Sequence, residues 1–136
     1  MSAPLLVLLG LRCVGKSSLG RALAQQEGWQ FCDLDDELAR RAAGGPHSSV
    51  GELLQTIGLA AFRDEEQRLL AAVAAETRGP CVLATGGGVV ERTANREVLS
   101  NLACIWLNAP LDVLVKRSEQ DSALRPSLTG QTPALE

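Results

Sequence analysis

Eight residues near the amino terminus, Gly10-Leu11-Arg12-Cys13-Val14-Gly15-Lys16-Ser17, restrict this chain more than any other stretch. Two glycines with four residues between them are followed at once by Lys and Ser, the pattern G-x-x-x-x-G-K-[ST]. The apolar run Leu5–Leu9 leads in as a strand covered on both faces, and Ser18–Ala24 leads out as a helix. In such a loop the backbone N–H groups curl around phosphates, and the helix N-terminus adds partial positive charge. Lys16 is placed to reach the β- and γ-phosphates and Ser17 to ligate Mg²⁺. The pattern predicts a nucleotide-phosphate site rather than a plain glycine turn.

Downstream, strand-like and helix-like segments alternate. A helix is predicted from Lys16 to Glu27, with Leu19, Ala22, Leu23 and Gln26 on its inner stripe and Gly28 ending it. Trp29–Cys32 is a second strand, and Asp33-Leu34-Asp35-Asp36-Glu37 follows at the start of the next helix. Acids there cap a helix, but one suffices for that, and strand C-termini are where open α/β sheets bind ligands. Asp33 and Asp35 are therefore read as functional, Asp36 and Glu37 as helix-start residues. His47 lies in a Gly/Pro-rich breaker and is expected to be an exposed loop residue. A long helix, Leu59 to Glu76, places Phe62, Leu69, Leu70, Val73 and Ala74 at helical spacing and puts Arg63 and Glu66 on one face.

Cys81–Ala84 is a third strand, ending in Thr85-Gly86-Gly87-Gly88. Three successive glycines raise the entropic cost of ordering, which close approach of a ligand to the backbone would justify. Glu91–Asn101 is predicted helical, Ala103–Leu107 a fourth strand, and Pro110–Arg117 a helix capped by Asn108. From Ser118 onward the periodicity is lost and a mobile loop is expected. Alternation after a β–loop–α start predicts an α/β fold, a parallel sheet with helices on both faces, in a single domain covering 1–136.

With 46% hydrophobic and 21% charged residues and a net charge of −3, no nucleic-acid surface or membrane span is expected, and the cytoplasm is the expected location. The four cysteines form no C-x-x-C pair and there is one histidine, so a zinc site is not expected. Cys32, Cys81 and Cys104 lie in or beside apolar runs and read as small buried hydrophobes.

Five ordered motifs together resemble the shikimate kinase family: G-L-R-C-V-G-K-S-S-L-G at 10–20, F-C-D-L-D at 31–35, F-R-D-E-E at 62–66, L-A-T-G-G-G at 83–88 and L-R-P-S-L at 124–128. The resemblance implies a three-layer α/β/α P-loop NTPase fold with a mobile lid at about 119–132. It also implies ATP-dependent phosphorylation of the shikimate 3-hydroxyl, Mg²⁺ as cofactor, ATP and shikimate as small-molecule partners, and a monomer. By resemblance, Cys13, Val14, Gly15, Lys16, Ser17 and Ser18 wrap the ATP phosphates, while Ser17 and Asp33 serve the metal. Asp35 binds a ring hydroxyl and can accept its proton. Arg63, oriented by Glu66, pairs with the substrate carboxylate, and Gly86, Gly87 and Gly88 contact the substrate. Arg117 packs on adenine, and Arg125 closes over the phosphates as a catalytic lid arginine beside Lys16 and Asp35.

The chain departs from the family pattern in three places. Cys13 stands where a third glycine is usual, and Gly58-Leu59 replaces Gly-Glu. Family members continue past the lid through a further helix, strand and helix that bring a second arginine for the carboxylate. A non-catalytic or truncated binding module, and a kinase for another small polyol acid such as gluconate, are the alternative readings.

Overall fold

The structure, a computed structural model, describes residues 4–41, 46–47 and 49–121. The elements run β1 (Leu5–Leu9), α1 (Lys16–Glu27), β2 (Gln30–Asp33), α2 (Leu34–Arg41), α3 (Val50–Ile57), α4 (Leu59–Glu76), β3 (Cys81–Ala84), α5 (Thr93–Leu99), β4 (Ala103–Trp106) and α6 (Leu111–Asp121). The strands form one sheet in the order β2-β3-β1-β4, and every neighbouring pair is parallel. The C-terminal ends of β1, β2 and β3 therefore share one rim, and each is followed by one of the motifs picked out in the sequence.

Alternation along the strands supplies two cores. Leu5, Val7 and Leu9 of β1 and Cys81 and Leu83 of β3 face α2–α5, where Leu34, Leu38, Leu53, Phe62 and Leu70 close a large cluster. Leu8 and Val82 face the other way onto Ala24, Leu23, Trp29 and Phe31. Burial of both faces explains why β1 and β3 read as unbroken apolar runs.

The inner stripe of α1 differs from the one expected. Leu19 is 46% exposed and Ala22 and Gln26 are also exposed; the buried positions are Lys16, Gly20 and Ala24, with Leu23 half-buried. A methyl group at Gly20 would lie 3.1 Å from Leu8, 3.3 Å from Phe31 and 3.4 Å from Val82. The phosphate loop holds α1 close to the sheet, and at that separation only small side chains fit. Gly28 ends the helix in left-handed backbone, φ 70°, as expected.

Four further expectations change. β4 is exposed along its whole length, so Cys104 is exposed rather than buried, and Trp106 is 54% exposed. The strand lies at the sheet edge, paired only to β1 among the described residues. Cys81 is buried, whereas Cys32 is half-buried with its thiol pushed up to about 11, mainly by burial. The last helix continues past Ser118, itself buried, to Asp121, so residues 119–121 are helical and the rest of the expected lid lies outside the described residues. His47 is half-buried, its backbone N–H donating to the Ala39 carbonyl at 2.7 Å. No described helix is long and apolar enough to cross a membrane.

Candidate active site

The rim formed by the C-terminal strand ends opens into a cavity of about 820 Å³, within the usual range for small-molecule sites. Two groups of residues line it, one on the loop between β1 and α1 and one around a buried arginine.

The first is the loop between β1 and α1. Gly10 takes φ 151° and packs so tightly that a methyl group would meet the Leu107 carbonyl oxygen at 2.7 Å. Gly15, φ 104°, caps α1 without a side-chain bond, leaving the first-turn N–H groups pointed at the cavity. Cys13 is the one non-glycine among the described residues with positive φ, 65°. That geometry explains why a glycine suits this position: an L side chain in left-handed backbone costs about 1–2 kcal/mol. Lys16 is buried, and its ammonium donates to the carbonyls of Gly10 at 2.5 Å and Leu11 at 2.8 Å. Its charge is thus stored inside the loop.

Ser17 Oγ donates to Asp33 Oδ2 at 2.6 Å, joining the start of α1 to the end of β2. The other oxygen of Asp33 accepts from the backbone N–H groups of Asp35 at 3.0 Å and Asp36 at 3.3 Å. Asp33 therefore caps α2 with one oxygen while the other meets Ser17 at the start of α1. A hydroxyl and a carboxylate in contact suit a hard cation that keeps several waters and takes its remaining ligands from phosphate. Among the described residues no cluster of three His, Cys, Asp or Glu could hold a metal alone. From α6, Arg117 Nη1 donates to the Cys13 carbonyl at 3.0 Å, which brings that helix onto the loop.

The second group gathers from α2, α4 and the turn after β3. Arg63 and Glu66, three apart on α4, are buried, and Nη1 donates to Oε1 at 2.9 Å. Burial raises the Glu66 carboxyl above its usual range, with Glu91 pushing the same way, while Arg63 pulls it down. Two carboxylates meet this arginine, since Glu91 Oε2 also stands 3.3 Å from Nε.

The glycine triplet is explained by space rather than by backbone freedom, for none of the three adopts positive φ. A methyl group at Gly86 would lie 3.0 Å from Asp35 Oδ1 and 3.3 Å from Glu66 Oε2. One at Gly87 would lie 3.4 Å from the Arg12 backbone nitrogen, and one at Gly88 would lie 2.6 Å from the Arg63 guanidinium carbon. Each glycine makes room for a different polar group. The sequence reading attributed that room to a ligand; much of it is taken by the protein's own side chains.

All the candidate residues inside the described range line this one cavity: Cys13–Ser18, Asp33, Asp35, Arg63, Glu66, Gly86–Gly88 and Arg117. Arg125 lies outside the described residues. The lining also includes residues that no motif assigned to the site, among them Arg12, Thr85, the N-terminal turn of α3 and Gln120. Ser49, Val50, Gly51 and Leu54 form another part of the cavity wall, with Ser49 capping α3 through Glu52 N–H at 3.1 Å. The S-x-x-E pattern at 49–52 marks a helix start but says nothing about which way it faces.

Comparison with known proteins agrees with this geometry. The family model for shikimate kinase matches residues 12–136. A shikimate kinase of Gloeobacter violaceus is 42% identical over 125 residues, covering 92% of this chain and 67% of that protein. The solved structure of a shikimate kinase from Acinetobacter baumannii in complex with shikimate superposes with a TM-score of 0.82 at 30% identity, covering 98% of this chain and 71% of that one. A gluconokinase from Sinorhizobium meliloti is similar at a lower level, TM-score 0.62 and 25% identity. The chain spans about two thirds of the length of the curated relatives it matches.

Proposed function

The chain belongs to the shikimate kinase family, and from that premise we propose that it transfers the γ-phosphoryl group of ATP to the 3-hydroxyl of shikimate, yielding ADP and shikimate 3-phosphate for aromatic amino-acid biosynthesis. The observation that carries this reading is the single cavity in which a phosphate loop faces a buried arginine–glutamate pair and an aspartate. A kinase for a small hydroxy acid needs that combination.

Phosphoryl transfer depends on positioning and charge neutralisation more than on covalent help. The loop N–H groups of 13–18 hold the β- and γ-phosphates, and Lys16 exchanges its bonds to the Gly10 and Leu11 carbonyls for phosphate oxygens. Arg63 takes the substrate carboxylate, held in place by Glu66. That anchor turns the ring so that Asp35, beside Gly86, meets the attacking hydroxyl and accepts its proton. Ser17 and Asp33 would hold Mg²⁺, which neutralises charge on the β- and γ-phosphate oxygens when bound. By the family resemblance, Arg117 packs on the adenine and Arg125 closes over the phosphates and stabilises charge on the transferred group.

The test is ADP release by the 136-residue chain with Mg²⁺-ATP, with and without shikimate, the product being assigned by ³¹P NMR. Shikimate-dependent release of a 3-phosphate is the expected result. ATP binding without shikimate-dependent release would favour a non-catalytic binding module.

A further inference from the structure

We propose that Glu91 is a displaceable stand-in for the substrate's carboxylate, one that holds an edge of the Arg63 guanidinium in the empty site and yields it when substrate binds. The inference rests on reading Arg63 as the carboxylate anchor, and it assigns Glu91 the role of setting the affinity at that anchor.

The guanidinium is reached by its edges, because Gly88 packs against it so closely that a methyl group there would overlap it. At one end, Nη1 donates to Glu66, whose side chain is 1% exposed and fixed three residues along the same helix. Glu66 has nowhere to go. At the other edge, Nε stands 3.3 Å from Glu91 Oε2 but makes no aligned hydrogen bond, and Nη2, the guanidinium atom nearest Gly88, makes no hydrogen bond to a described residue. The Glu91 side chain is 63% exposed, on the short turn between Gly88 and α5, so swinging into water costs it little. A carboxylate binds a guanidinium best through two parallel N–H donors. The edge whose donors make no hydrogen bond is Nε–Nη2, and Glu91, which borders the cavity-lining Arg63 and Gly88 without lining the cavity itself, is the group a carboxylate engaging that edge would replace.

Charge balance agrees. One arginine with Glu66 and Glu91 sums to −1, so an anionic substrate arriving with Glu91 in place would meet net repulsion. With Glu91 swung away, the substrate carboxylate restores the same −1. The residue thus keeps a buried cation paired before binding and lowers affinity for the acid as a consequence.

The test is calorimetric titration of the wild-type chain, Glu91→Gln and Glu91→Asp with shikimate, with its uncharged methyl ester and with ATP. Glu91→Gln is expected to bind shikimate about two- to fivefold more tightly, the range an exposed ion pair supports, with the ester and ATP unchanged. Glu91→Asp, which keeps the charge, is expected to stay near wild type. Unchanged ATP binding also reports that each variant is folded. If the wild type binds shikimate and Glu91→Gln binds it no more tightly, or tightens the ester equally, this inference fails and the anchor reading stands. If the folded wild type binds ATP but no shikimate, the anchor reading fails, and this inference with it.

Discussion

The two halves of the cavity are built in different ways. The phosphate half is mostly one contiguous segment, Gly10 to Ser18, whose donors are backbone N–H groups set by glycine geometry and a helix start. The acid half is assembled from α2, α4 and the turn after β3, and its central feature is a charge pair, with exposures of 9% and 1%, taken out of water. The loop's backbone donors are set mainly by its own geometry, with Leu107 and Arg117 packing on it from outside. A buried arginine needs help from the rest of the fold, since an unpaired charge at that depth costs about 3–5 kcal/mol. The glycines at 86–88 and the carboxylate of Glu66 are that help.

The largest expected effect breaks the phosphate half. Lys16→Ala should lower kcat/KM by about 10²–10³, the usual consequence of deleting one preorganised charge-stabilising group, and should weaken ATP binding in the same titration. Next, Gly88→Ala should push the guanidinium off its seat and raise KM for shikimate about tenfold or more, as overpacking of 1–3 kcal/mol implies, with KM for ATP unchanged. Gly87→Ala, which meets Arg12 at ordinary contact distance, should shift either KM by no more than about twofold. Equal damage from the two glycine variants would remove the spatial explanation of the triplet. The smallest effect is expected at Cys13→Gly. Relief of left-handed strain, offset by the greater freedom of glycine in the unfolded chain, should raise the unfolding free energy by about 0.5–1 kcal/mol in urea.

The buried pair also carries a pH dependence. Glu66 has its carboxyl raised by burial above the ordinary value of 4.5. A raised folded pKa favours folding fully below the unfolded pKa and loses that contribution as pH rises through the folded one. Wild-type stability relative to Glu66→Gln should therefore fall with rising pH across that window, as urea midpoints at several pH values would show.

The difference between the halves also decided what could be read from the sequence. Gly10, Gly15, Lys16 and Ser17 are adjacent in the chain, so spacing alone placed them, and apolar runs marked β1 and β3. Arg63 and Glu66 looked like an ordinary surface pair on a helix; only the motif resemblance singled them out, because their burial depends on Gly88, 25 residues away. The α1 stripe was misjudged because hydrophobicity favours Leu19, whereas the separation from the sheet favours Gly20 and Ala24. Cys104 was misjudged because an apolar run does not say whether its strand lies at the centre or the edge of a sheet. The α3 wall was missed because its polar contribution is a helix cap.

The most direct test of a site with two separable halves is ATP and shikimate affinity measured side by side in Arg63→Ala. Loss of shikimate binding with ATP affinity held within about twofold of wild type is the expected result. An equal loss of both affinities in a variant that still unfolds cooperatively would contradict the assignment of Arg63 and the division of the cavity built on it.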